Sequence, residues 1–243
     1  MNNKLGIVLL VIGIVLVVGY LFYSSGPVVS AQGSSSLEAN PDLVSVYINI
    51  EVKNISASDA KNAHDIISNK VMAALKGKGI ADEDVQLVNY NIYDDYEWNN
   101  GNQVRKGYVV SSQIVVKTSD FDKVREIVDA GIDSGAIISY INFELSPDKQ
   151  SEYKSQALAE ASADARKKAQ STAEGLGKKL GRLVSVQSEE FNYPGPVAYY
   201  AKTESATGGI ADAAEVRQAA LNLAPQDLPI TASVRVEYKL RGF

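Results

Sequence analysis

Two periodicities organise the chain. Val44, Val46, Ile48, Ile50 and Val52 alternate with Ser45, Tyr47, Asn49 and Glu51, the period-two pattern of a strand buried on one face. After Ser56 and Ser58, either of which can cap a helix, Ile67, Val71, Ala74 and Leu75 recur at helical spacing until Gly77 and Gly79 end the run. Residues 85–98 and 104–118 read as strands joined through Asn99-Asn100-Gly101-Asn102, residue types that tolerate positive φ and suit a hairpin. Ser119 or Asp120 then caps a helix with Phe121, Val124, Ile127 and Val128 on one face, and residues 136–145 return to strand. Ser146-Pro147 opens a long helix whose predicted packing stripe is Leu158, Ala161, Ala165, Thr172, Leu176 and Leu180. Strands follow at 183–191 and 230–240, the last alternating cleanly from Ile230 to Leu240. The predicted order is β-α-β-β-α-β-α-β-β.

The two ends of this pattern behave differently. Residues 5–22 (LGIVLLVIGIVLVVGYLF) carry no charge and no proline. As a helix they approach the roughly 30 Å hydrocarbon thickness of a bilayer. Lys4 marks the near end as cytoplasmic, and Tyr20 and Tyr23 stand where interfacial aromatics belong. Residues 1–23 therefore read as a single-pass membrane anchor with the C-terminal body outside the cytoplasm. The alternative is a signal segment cleaved near Ala31, which would leave a secreted or periplasmic protein. Residues 24–37 are small, mostly polar and uncharged, the composition of a flexible linker, and the folded domain is expected over 38–243. Within it, residues 192–227 hold Pro194, Pro196, Pro225, a Tyr199-Tyr200 pair and Gly208-Gly209. This long loop has two readings, a surface excursion with a short helix at 210–223 or a self-association arm.

Composition removes several chemistries. With no cysteine there is no disulfide, thiolate metal site, cysteine nucleophile or lipid-anchor thiol. The net charge is −5, and Lys4 is the only charged side chain before Glu38, so the body carries −6 and has no basic stripe for nucleic acid. Gly175, Gly177 and Gly181 lie among lysines, but they follow a helix and precede a strand, the reverse of a phosphate-binding fingerprint, and read as a helix ending. Asp95, Glu97 and Asn99 resemble the start of a calcium loop. Gly101 falls one place late and Lys106 occupies the position of the bidentate glutamate, so an acidic hairpin tip is the expectation. His64 is the only histidine and sits within a helix, partly buried or at the surface, not as a base. Glu189-Glu190 alternate across a strand instead of converging. No catalytic, cofactor-binding or metal-binding residue is assigned. Asn54-Ile55-Ser56 is a glycosylation sequon at a turn.

Several of these pieces in combination resemble the SIMPL-domain family, exported bacterial and archaeal proteins that include the YggE-like and periplasmic immunogenic groups. They are Gly79-Ile80 before an acidic residue, Gly107-Tyr108 opening a strand, Gly135-Ala136 before the next, and Ala165-Arg166-Lys167-Lys168-Ala169 with Gly177 and Gly181. The resemblance covers roughly residues 38–243. It implies an α+β fold of mainly antiparallel sheet backed by helices, an extracytoplasmic location, and ring-like oligomers in some members. No functional residue carries over. Pro225-Gln226-Asp227 and Pro229 stand where a proline-glycine step is usual in the family, so no detail of the final loop, or of assembly built on it, carries over. The resulting expectation is a membrane-tethered binding or scaffold module, non-enzymatic, cofactor-free and homo-oligomeric. The alternatives are a stress-related or small-ligand-binding envelope protein and, third, a hydrolase with an unrecognised site.

Overall fold

Strands β2 (Leu43–Asn54) and β4 (Asn102–Thr118) pair antiparallel from Val44↔Thr118 to Asn54↔Tyr108. They form the middle of a five-stranded sheet in a computed structural model that describes residues 12–14, 26–99, 101–193, 195, 197–199, 217–218 and 225–242. The sheet order is β3-β4-β2-β5-β7, with β3 Val85–Asn99, β5 Ile137–Glu144 and β7 Val197–Tyr199. A second, three-stranded sheet has the order β1-β8-β6, with β1 Val28–Ala39, β6 Lys179–Asn192 and β8 Leu228–Arg241. Among the described residues the long helices are α1 Ala57–Gly77, α2 Lys123–Asp133 and α3 Pro147–Gly175. Two compact units result, one from residues 39–150 and 194–228, the other from 1–38, 151–193 and 229–243. The α+β class and the antiparallel pairing follow the expectation.

In the five-stranded unit, alternation places Val44, Val46, Ile48 and Ile50 on the sheet face that meets Val71 and Leu75 of α1 and Val124, Ile127 and Val128 of α2. Phe143 from β5 closes this core and stacks on Phe121 at 5.7 Å. Ser56 caps α1, its hydroxyl accepting from the Asp59 backbone N–H at 3.4 Å. Asp42 joins the start of β2 to the end of β5: its two carboxylate oxygens accept from the Ser146 N–H and hydroxyl, each at 2.7 Å. From the 192–227 segment, β7 adds to β5 through Ile141↔Tyr199 to Phe143↔Val197. Residues 217–218 are helical, and Arg217 reaches α2, pairing with Asp133 and with Asp129 at 3.2 Å. These described parts of the loop are bound to their own body. The Tyr199-Tyr200 side chains and the rest of the expected 210–223 helix lie outside the described residues.

The three-stranded unit differs from expectation at β1. Residues assigned to a linker form a strand whose inward positions are Val29, Gly33 and Ala39, so the small composition that looks like a tether is what lets a helix lie on it. A Cβ at Gly33 would stand 2.0 Å from the Ala161 carbonyl oxygen and 2.3 Å from the Ala165 nitrogen. The buried row of α3 is Ala157, Ala161, Ala165, Ala169 and Ala173, four residues apart. The predicted stripe is thus right only in part: Ala161 and Ala165 are buried, Leu158 is half-buried, Thr172 and Leu176 are exposed, and Leu180 belongs to β6. Large side chains would have held α3 off the sheet.

The helix ends explain the glycines. At α3 the Lys178 N–H bonds the Ala173 carbonyl and the Gly177 N–H the Glu174 carbonyl, with Gly177 at φ 64°. This is a Schellman closure, which favours a residue without Cβ at the left-handed position. The same bonds recur at Gly79-Ile80 and Gly135-Ala136, so three of the sequence pieces that carry the family resemblance are helix stops. Among the described residues no helix is long and apolar enough to cross a membrane. The predicted span 5–22 lies outside the described residues except for 12–14, which are helical.

Candidate functional site

The first candidate is the outer edge of β3. Its partner β4 lies on one side only, and no described strand flanks the other. A bulge at Val88 precedes a regular run in which Asn89 to Asp95 pair one for one with Gln113 to Gly107. Ile92, Tyr93, Tyr96 and Trp98 along this strand are exposed, Trp98 by 72%. Cations offset most of the carboxylates there: Arg105 sits 3.2 Å from Asp94, Lys106 2.7 Å from Glu97, and Lys53 is shared between Asp95 at 3.7 Å and Glu51 at 3.9 Å. The Arg105 guanidinium also lies 4.3 Å from the Tyr108 ring centroid. The Glu97 carboxylate raises the Lys106 ammonium above its usual range. The carboxylates that resemble a calcium loop are therefore engaged by cations, and the tip is mixed in charge instead of acidic.

The second candidate is an open groove beside α3. Ser162, Arg166 and Gln170 form one helical row along its wall and Ala163 and Lys167 the next. The floor consists of two cross-strand pairs, Leu183–Tyr238 and Val186–Val236. The space is about 520 Å³ and adjoins another of about 410 Å³ that shares Arg166, Gln170 and Tyr238 and adds Lys179 and Glu174. It exists because α3 packs on β1 through its alanine row, while Leu183, Val184 and Val186 of β6 stay half exposed.

His64 is the nearest approach to a reactive constellation. Its Nε2 lies 2.8 Å from the Ser112 hydroxyl and its Nδ1 3.4 Å from Asp65, with the Tyr90 ring edge-on at 5.3 Å. The residue types are those of a triad, which sequence separation concealed. Yet Ser112 is 1% exposed and His64 2%, so the hydroxyl faces protein and not substrate. Asp65 is drawn away to Lys61 at 2.5 Å, which lowers its pKa, with His64 a lesser cause. His64 is thus fully buried, more than its sequence position implied, and its contacts are those of a packed polar pair.

A further polar group lies on the β2–β5 strands. Tyr47 and Tyr140 stack at 4.1 Å, Ser45 bonds Glu144, and burial followed by the Tyr140 and Glu144 charges raises the Tyr47 hydroxyl pKa. Asn142 is buried beside them with its Oδ1 lacking a hydrogen-bond partner. Asn54, the sequon residue, ends β2 exposed, its Oδ1 accepting from the Ser56 N–H at 3.2 Å. Among the described residues, no group of three or more His, Asp or Glu is placed to hold a metal ion.

With these surfaces in view, comparison with known proteins gives a consistent answer. The family model SIMPL, described as a protein of unknown function (DUF541), matches residues 29–238. The uncharacterized protein YggE of Escherichia coli strain K12 is 27% identical over 182 residues, 74% of each chain. The uncharacterized protein YggE of Edwardsiella ictaluri is 28% identical over 173 residues, 69% of this chain and 70% of the relative. The 26 kDa periplasmic immunogenic protein of Brucella melitensis biotype 1 is 28% identical over 123 residues, 47% of this chain and 49% of the relative. The match begins inside β1 and ends inside β8, spanning both units, and the chain belongs to the SIMPL family.

Proposed function

We propose that the protein is a membrane-tethered, extracytoplasmic module that works by contact instead of by catalysis, and that copies associate through the outer edge of β3. The observation that carries this reading is a regular strand edge from Asn89 to Asp95 bearing exposed Ile92 and Tyr93, with Tyr96 and Trp98 beyond. An unprotected edge of this kind is a ready template for pairing with a strand of another chain. Lys53, Arg105 and Lys106 offset all but one of the four neighbouring carboxylates, so little net charge beside the aromatic surface repels a second copy.

The tether has support from β1. The Leu240 N–H bonds the Pro27 carbonyl at 2.8 Å, the Lys239 ammonium reaches the Gly26 carbonyl at 3.2 Å, and Val29 is buried. Cleavage near Ala31 would leave the folded protein without these contacts, which supports the uncleaved reading. The periplasmic name of the Brucella relative supports a position outside the cytoplasm. Non-enzymatic action is supported by the burial of Ser112 and His64. The groove beside α3 favours small-ligand binding as a second reading.

Because the chain has no cysteine, one introduced thiol reports self-contact cleanly. Ile92→Cys in the full chain should give a covalent dimer on mild oxidation, while Ser171→Cys on the exposed side of α3 should not. A monomeric Ile92→Cys protein, or equal dimer from both sites, would remove the β3 edge as the interface.

A further inference from the structure

We infer that the groove between α3 and β6 binds a long-chain fatty acid, with the carboxylate held by Arg166 and Lys167 and the alkyl chain laid over the Leu183–Tyr238 and Val186–Val236 pairs. Its wall and floor divide in chemistry as such a molecule does. The helical wall presents two cations, with Lys179 at the adjoining end, on a body whose net charge is −6 without Lys4. The floor is apolar, and Val186 remains 54% exposed although it faces the groove. The space falls within the roughly 300–1,000 Å³ of small-molecule sites.

The occupant is not an added strand. Pairing between β6 and β8 shifts register between Leu180 and Leu183, between Leu183 and Ser185, and between Ser188 and Glu190. Each shift places extra residues on β6, and a strand so bulged presents no continuous ladder to a peptide. A flexible alkyl chain needs only apolar contact. A monoanionic head fits better than a phosphate, because Glu174 lines the adjoining space and repels a second negative charge more strongly. The planar Arg166 fork matches one carboxylate, with Lys167 as a second cation.

The test uses the full chain in zwitterionic nanodiscs with a diazirine-bearing palmitic acid, photolysed and mapped by mass spectrometry. Adducts are expected on residues 183–186 and 234–238, and Arg166→Glu with Lys167→Glu should lower them about tenfold. Val186→Asp should abolish them, and the corresponding diazirine alcohol should label the site far less. All three positions are solvent-exposed, so unchanged circular dichroism and melting confirm that the fold is kept. Equal labelling by acid and alcohol, undiminished labelling of the double variant, or adducts confined to residues 5–22 would overturn the assignment. An acidic peptide displacing the acid from the groove would do the same.

Discussion

Gly33 lies so close beneath Ala165 that a Cβ at position 33 would stand 2.3 Å from the Ala165 backbone nitrogen. The neighbour is backbone, which cannot swing aside, so a larger residue must push α3 off the sheet. Gly33→Val is expected to destabilise the three-stranded unit by about 1–3 kcal/mol or more. Chemical denaturation followed by circular dichroism measures it. A wild-type midpoint would mean that helix and strand are not in contact at that point.

The His64–Ser112 pair is expected to matter for stability. Removing one partner leaves a buried polar group unsatisfied, so Ser112→Ala should cost about 1–3 kcal/mol. His64→Leu with Ser112→Ala should cost less than the two single changes summed, because neither orphan remains. A double-mutant cycle under denaturant reads the coupling, and strict additivity would show that the 2.8 Å contact contributes nothing.

Asp164 links α3 to β1 and gives a pH signature. The Lys168 ammonium, and then the Ser34 backbone N–H, hold its carboxyl below the usual value of 3.8. A depressed carboxylate stabilises the fold above its unfolded pKa and loses that contribution as pH falls through the folded pKa. Asp164→Asn should therefore be slightly less stable than wild type at neutral pH, and the gap should close toward about pH 2. A gap of equal size at both pH values would show that charge plays no part.

The N-terminus should be intact. Val29 is buried and Pro27 is bonded to Leu240, so the mature chain is expected to keep β1 whole, and as a tethered protein it is expected to keep residues 5–22 as well. Mass spectrometry of the membrane fraction checks this, and a mature start at Gln32 would contradict the anchor.

Most of the core was legible because it obeys one period at a time. Val44 to Ile50 alternate, α1 and α2 repeat at helical spacing, and glycines at 79, 135 and 177 end helices where a left-handed residue is needed. β1 was not legible, since Val29, Gly33 and Ala39 among serines carry too little hydrophobic contrast to signal a strand. Its partner surface on α3 is equally faint, an alanine row that reads as weak amphipathicity. The groove could not be seen at all. In the sequence Arg166 and Lys167 stand out only as part of the family resemblance, and only the bulged β6–β8 register sets Leu183 and Val186 beneath them. His64 was found but misjudged, because Ser112 lies 48 residues away across the sheet.

The proposed role depends on copies meeting through an open strand edge. Light scattering of the full chain in a non-ionic detergent, with bound detergent subtracted, measures this directly. A discrete multiple of the single-chain mass is predicted, falling toward one copy when Ile92→Lys and Tyr96→Lys charge the β3 edge. A single-chain mass at every concentration, or an assembly indifferent to both substitutions, would contradict it.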